Sequence, residues 1–320
     1  MIGDSLTEEP FRIDVHQHIL PPDYVSALDK LGITNSGGRP LPEWDIQSSL
    51  TLMDRYEIAT AITSISEPGI YFGDVTFMPD LASRCNEFSA QLIHDHPQRF
   101  GALAILPLPD VDAALRELEY ALDTLKLDGV VLLSSVGGRY PGDPLFDELF
   151  TELNRRKAVV FLHPTVPAIN NELKLDLPPF LIEFVFDTTR AVTNLIYSGT
   201  LERCPDIRFI VAHAGGTVPY LAYRISMGQI MLSGAPQGAM TYLKQFYYDT
   251  ALSAMPYALC SLHELVDASH ILFASDYPFA PEAATFFAVQ GIQNFDGFDE
   301  QARKAIAREN ALALFPRFTG

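Results

Sequence analysis

Short runs of aliphatic, β-branched and aromatic residues recur along the chain, at residues 12–15, 58–65, 100–106, 129–133, 158–162, 208–212, 246–248 and 271–274. Most are near-continuous apolar runs rather than alternating ones, which is the pattern of parallel strands covered on both faces. Between them apolar positions recur at helical spacing. Residues 80–94 place Leu81, Cys85, Phe88 and Leu92 along one stripe. Residues 46–57 follow Asp45, residues 111–125 follow Asp110, and residues 144–156 open with Pro144 just after Asp143, all good helix starts. Further helices are predicted over 179–201, 219–232, 256–268, 281–289 and 300–314. Strand–helix alternation repeated eight times predicts the α/β class and a (β/α)8 TIM barrel, with residues 1–320 as a single domain. An open doubly wound sheet is the runner-up, and it lacks the GxGxxG turn after the first strand. Residues 19–44 are too long for a plain βα connection and carry Pro21-Pro22, Gly37-Gly38 and Pro40-Leu41-Pro42. They read as a lid-like excursion over the barrel mouth.

Composition narrows the partners. Apolar residues make up 48% of the chain and charged residues 19%, which excludes disorder as a description of the whole. Lys plus Arg number 22 against 40 Asp plus Glu, a net charge of −18. Such a field repels phosphate backbones and anionic membrane surfaces, so neither nucleic acid nor membrane is an expected partner. A small anionic substrate would need local help from an arginine or a metal. No stretch approaches the roughly 18 apolar residues of a membrane span, and residues 1–10 are acidic without an apolar core, unlike a secretory signal. Cys85, Cys204 and Cys260 have no metal-ribbon or CxxC spacing. They are expected to be buried or partly buried thiols of a cytoplasmic protein.

In a barrel the chemistry sits at the carboxyl ends of the strands. Strand 1 ends in His16-Gln17-His18, strand 5 in His163, strand 6 in His213 and strand 8 in Asp276. Two residues apart on an extended segment, His16 and His18 share a face, and at a strand end that face is the barrel interior. With His163 and Asp276 they form a nitrogen and oxygen ligand set for a divalent metal that leaves a position open. His213 either ligates that metal or faces its bound water. A second HxH pair, His94 and His96, closes a helix before Pro97, where residues two apart diverge, so it reads as a helix end. His263 and His270 lie at the wrong end of the barrel. No lysine ends strand 4 or 5, which disfavours a carbamylated bridge and favours one metal.

These motifs, Ile13-Asp14-Val15-His16-Gln17-His18-Ile19-Leu20-Pro21-Pro22, Leu162-His163-Pro164, Ala212-His213-Ala214-Gly215-Gly216 and Ser275-Asp276-Tyr277-Pro278, together resemble the amidohydrolase superfamily. Within it they resemble the branch of aminocarboxymuconate semialdehyde decarboxylase and of the γ-resorcylate, 5-carboxyvanillate and 6-methylsalicylate decarboxylases, from about Arg12 to Asn310. The resemblance implies one Zn²⁺ or Mn²⁺ held by His16, His18, His163 and Asp276, with His213 a catalytic neighbour rather than a ligand. It implies a homodimer in which Arg224 reaches the substrate carboxylate across the interface. Some relatives carry glutamate three residues after the catalytic histidine, where this chain has Gly216, so a mechanism needing a His–Glu pair does not transfer.

The leading expectation is therefore a metal-dependent, non-oxidative decarboxylase of a small aromatic or unsaturated carboxylic acid, salicylate-like in its narrower form. Asp276 is the expected proton donor as well as ligand, and His213 the group that polarises the substrate oxygen or activates water. The rim is rich in rings: Tyr71 and Phe72 after strand 2, Phe184 and Phe186 after strand 5, Tyr277 and Phe279 after strand 8. Such walls suit a flat acid, with Phe184 and Tyr277 as substrate-binding candidates. Arg39 and Arg139 are further carboxylate candidates, although as loop residues they read first as solvated charges. One rival is a lactone or amide hydrolase on the same scaffold, because the ligand set serves both reactions. The other is a non-catalytic binding barrel, against which the additional histidine of strand 6 argues.

Overall fold

The computed structural model describes residues 11–173 and 175–319. The acidic stretch 1–10, read above as unlike a signal, lies outside the described residues. The apolar runs form eight parallel strands: β1 (Arg12–His18), β2 (Ile58–Ser64), β3 (Phe100–Ile105), β4 (Gly129–Leu133), β5 (Val159–His163), β6 (Arg208–Val211), β7 (Tyr247–Asp249) and β8 (Ile271–Leu272). They hydrogen-bond in chain order. The sheet closes on itself where the amide of Val15 donates to the Phe273 carbonyl at 3.1 Å and the amide of His18 to that of Tyr277 at 2.8 Å. The fold is the expected (β/α)8 barrel, with helices wrapped around one apolar core.

Three predicted helix starts are made by the aspartates that precede them. Asp45 accepts from the amide of Ser48 at 2.7 Å and Asp110 from that of Ala113 at 3.0 Å. Asp143 caps a single 3-10 turn, Pro144–Phe146, before the helix Asp147–Arg155 begins. Other elements are more broken than their periodicity suggests. The 179–201 stretch divides into a 3-10 turn at Pro179–Leu181, the helix Glu183–Tyr197 and a short piece at Thr200–Arg203. The last strand is short because its continuation leaves the ladder. The amide of Phe273 donates to the Ile306 carbonyl at 3.0 Å and that of Ala274 to Thr250 Oγ1 at 3.1 Å.

The excursion after β1 is a built element. It holds the helix Pro22–Lys30 and a small antiparallel pair, Asn35–Ser36 against Arg39–Pro40. Ser36 Oγ donates to the Glu67 carbonyl at 2.7 Å and also meets the Glu67 carboxylate, which ties the hairpin to the loop after β2. The amide of Phe180 donates to the Gly37 carbonyl at 3.0 Å, which ties it to the loop after β5. Gly37 has φ +56° and a Cβ there would fall 2.7 Å from the Phe184 ring, so this crossing needs glycine.

Among the cysteines, Cys85 and Cys204 are buried, but Cys260 is exposed on the helix Pro256–Leu265, unlike the buried or half-buried thiol expected. Among the described residues no helix is long and apolar enough to cross a membrane.

Inside the barrel, Phe161 is fully buried on β5 and its ring meets the imidazole of His16 edge-on at 4.8 Å. Phe161→Ala is expected to cost about 3–5 kcal/mol of unfolding free energy, read from denaturant titration. A loss under 1 kcal/mol would mean the barrel floor repacks without it.

Candidate metal centre

The centre begins with an irregularity in β1. Between Asp14 and Gln17 the strand shifts register against β2, and the Asp14 carboxylate gathers the backbone around the shift. It accepts from the His16 amide at 3.1 Å, from the Ser275 amide at 3.1 Å and from Ser275 Oγ at 2.5 Å. Asp14 thereby pins the two segments that carry His16, His18 and Asp276. Burial pushes its carboxyl up to about 6, against the lowering effect of the hydrogen bonds from Ser275 and Gln17.

His16 Nε2 and His18 Nε2 lie 2.9 Å apart, and Asp276 Oδ1 is 3.2 Å from each. His163 completes the set, and one donor atom from each of the four residues lies within 4.8 Å of every other. The other ring nitrogens are all spoken for. His16 Nδ1 donates to Asp249 Oδ2 at 2.7 Å, and His163 Nδ1 to the Pro164 carbonyl at 2.7 Å. His18 Nδ1 faces Ser64, 3.3 Å from its carbonyl and 3.1 Å from its hydroxyl. A carboxylate or carbonyl only accepts, so these contacts place the proton on Nδ1 and turn Nε2 inward as a lone pair.

Two imidazole lone pairs at 2.9 Å repel unless a cation or proton lies between them. Without a metal, a proton serves. Burial disfavours the His16 imidazolium, but the Asp249 and Asp276 carboxylates outweigh it and hold the ring up to about 10. Burial holds His18 below its ordinary value, and His163 well below. Burial raises the Asp276 carboxyl, yet His16 and His18 beside it carry it well below the usual carboxylate range. Three inward imidazole nitrogens and one carboxylate oxygen fit a divalent cation of the zinc or manganese type.

Asp249 and His213 form the layer behind this set. Asp249, fully buried at the end of β7, holds His16 with one oxygen, while the other accepts from the amides of His213 at 2.9 Å and Ala251 at 3.0 Å. The sequence reading missed it. Its signal was an acidic residue closing the Tyr-Tyr run of strand 7, at the same barrel end as the histidines. His213 Nδ1 donates to the Ala251 carbonyl at 3.1 Å, which leaves Nε2 as its acceptor. His213 and Asp276 both sit in left-handed backbone, at φ +54° and +62°. Non-glycine residues held there cost roughly 1–3 kcal/mol each and cluster at functional sites. Gly216 is closed to any side chain: at φ +66°, a Cβ would fall 2.2 Å from the Val185 carbonyl oxygen.

A cavity of about 520 Å³ opens above the cluster. His163, His213 and Asp276 form its floor, while His16 and His18 are fully buried behind them. Phe180, Phe184 and Phe279 line its walls, and Ser36, Arg39 and Pro40 of the excursion roof it. Phe184 is thus brought to the cavity as expected. Tyr277 is not among the lining residues; its neighbours Pro278 and Phe279 are, and its carbonyl is taken by the His18 amide. Phe186 points to the exposed side of its helix. Arg224 lies outside the cavity, on the exposed face of the helix Val218–Ser226 beside Tyr220 and Tyr223. Arg139 pairs with Asp143 at 2.8 Å and is likewise outside. His94 and His96 end the helix Met78–Asp95, and His263 and His270 lie far from the centre in the outer layer.

Comparison with known proteins agrees with this geometry. The amidohydrolase family model matches residues 13–317. The chain is 39% identical to decarboxylase yanB of Aspergillus niger, over 96% of this chain and 88% of that protein. It is 36% identical to a 6-methylsalicylic acid decarboxylase of Penicillium expansum, over 97% of each. Among solved structures, one described as amidohydrolase II superimposes with a TM-score of 0.91 at 31% identity, covering 95% of this chain and 99% of that one.

Two substitutions test the layer behind the cluster. Asp249→Asn is expected to weaken divalent-metal affinity by roughly 10–100-fold, measured by chelator competition, because the His16 orientation loses its charged partner. Gly216→Ala is expected to lower unfolding free energy by more than about 1 kcal/mol. An alanine variant as stable as the parent would show that the neighbouring helix yields to a side chain.

Proposed function

Because the chain belongs to the amidohydrolase family, we propose that it is a metal-dependent, non-oxidative decarboxylase of a small aromatic carboxylic acid, salicylate-like in substitution. The observation that carries this reading is the meeting of His163, His213 and Asp276 at the floor of an apolar, ring-lined cavity. The names of the relatives, both decarboxylases and one acting on 6-methylsalicylic acid, support it.

His16, His18, His163 and Asp276 would hold the cation, with Zn²⁺ the first expectation and Mn²⁺ the second. When bound, the cation supplies positive charge that neutralises the anionic oxygens of the substrate. The chain's own residues do the rest. Phe184 and Phe279 present aromatic surface to a flat ring and keep water from its faces. His213 presents Nε2 at the floor as an acceptor for a phenolic proton, its orientation set by Ala251 and Asp249. Asp276 borders both the ligand cluster and the cavity, so it is the carboxylate placed to take up the proton that the phenol releases through His213 and to pass it to the ring carbon. The bond between that carbon and the carboxylate breaks, its electron pair stays on the carbon and takes the proton, and CO₂ leaves.

A homodimer is part of the same proposal. Tyr220, Tyr223, Ile230 and Met231 are each about four-fifths exposed around Arg224. A second copy over this surface would bury them and bring Arg224 near a neighbouring cavity. This supports Arg224 as a substrate-binding residue supplied across the interface.

Purified protein loaded with metal is expected to release CO₂ from one or more of salicylate, 6-methylsalicylate and dihydroxybenzoates, and to stop when the metal is chelated. Asp276→Asn and His213→Asn are each expected to lower kcat by roughly 10²–10⁴-fold. Full activity in an Asp276→Asn protein that keeps its metal would remove the proton-donor role. Incorporation of solvent oxygen into product without CO₂ would replace the lyase by a hydrolase.

A further inference from the structure

We propose that the mouth of the cavity is a second, aliphatic binding zone, and that the preferred substrate carries an alkyl chain on the edge of its ring opposite the carboxyl and hydroxyl groups. This names the substrate of the decarboxylase reading more closely and rests on it.

The cavity is larger than the ring it is proposed to hold. An apolar space of roughly 150 Å³ accommodates benzene, and this one measures about 520 Å³. Its lining also changes character from floor to mouth. Beside the cluster the walls are aromatic: the Phe279 ring meets that of His18 edge-on at 5.4 Å, and the Phe184 ring meets that of His163 at 6.5 Å. At the mouth they are aliphatic. Leu181, on the 3-10 turn after β5, and Leu252, in the loop after β7, both line the cavity, yet each is 54% exposed. Pro40 and Pro281 are exposed lining residues as well. A single ring held between Phe184 and Phe279 leaves this apolar lip uncovered, and apolar surface gathered at an opening marks a place for a ligand group.

Leu252 is costly to keep there. Its backbone lies in the left-handed region at φ +53°, in a turn that the Ser253 amide closes by donating to the Thr250 carbonyl at 3.0 Å. Glycine or asparagine suits such a position, and leucine gains nothing from the backbone. About half of its surface faces open space, so packing within the protein offsets little of the strain. An alkyl group of the substrate supplies the missing contact. With the carboxyl and hydroxyl groups turned to the floor, carbons 4 and 5 of a salicylate-type ring form the opposite edge and face the mouth, whereas carbon 3 stays beside the hydroxyl.

Calorimetric titration of the metal-loaded protein with 4-alkylsalicylates, from methyl to pentyl, reads binding without turnover. Affinity is expected to rise roughly two- to fourfold per added carbon and to level off once the chain leaves the mouth. The 3-alkyl isomers, equally apolar, are expected to bind no more tightly than salicylate. Leu181→Ser is expected to flatten the rise with chain length. Leu252→Asn is expected to do the same, and because asparagine suits left-handed backbone its thermal melt is expected at or above that of the parent. Melts of both variants establish that they fold. A flat 4-alkyl series in the parent, an equal gain for the 3-alkyl isomers, or an unchanged slope in either folded variant would overturn the proposal. A rise confined to the 4-alkyl series, with no CO₂ released from any member, would instead overturn the decarboxylase reading and leave the mouth as an alkyl-binding zone.

Discussion

Fixing one nitrogen of an imidazole decides what the other does, and the centre of this protein rests on that constraint. His16, His18 and His163 each direct Nδ1 to an oxygen outside the cluster, so three Nε2 atoms face one another and the carboxylate of Asp276. The acceptors come from different parts of the barrel: Asp249 from β7, Ser64 from β2 and the Pro164 carbonyl from just beyond β5. The crowding of lone pairs is unfavourable in itself. It persists because closing the barrel fixes the strand ends, and the gain from a buried apolar core is large beside the cost of a few misaligned dipoles.

The same closure sorts the site into parts with different exposure. His16 and His18 are sealed from the cavity, while His163, His213 and Asp276 border it. Asp276 belongs to both environments. It touches both sealed histidines and also faces open space, on a backbone turned into the left-handed region. One residue that must bind a cation and meet a substrate needs such a position, and ordinary extended backbone at the end of β8 does not provide it.

The barrel and most of its chemistry could be read from the sequence because both follow from local pattern. Apolar runs mark strands covered on both faces, and a histidine or aspartate directly after such a run falls at the catalytic rim, as His163, His213 and Asp276 do. Asp249 was not legible as a partner of His16 because the two are 233 residues apart and only the closed barrel makes them neighbours. Tyr277 and Phe279, two apart in sequence, could not be told apart by composition; the backbone turn after Asp276 sends only Phe279 to the cavity. Helix interruptions, as in 179–201, were hidden for a related reason. Apolar spacing continues through a 3-10 turn that packing against the excursion has imposed.

Gly216 limits the kinds of change available to this active site. A carbonyl oxygen of a neighbouring helix occupies the place where its side chain would start, so the position is reserved by backbone. A lineage that acquired an acidic partner for the histidine of β6 at this position would have had to move that helix first, or at the same time. Single substitutions do not connect the two arrangements. In this chain, then, the histidine of β6 is backed by a main-chain carbonyl because the neighbouring helix leaves no room for a side chain three residues on.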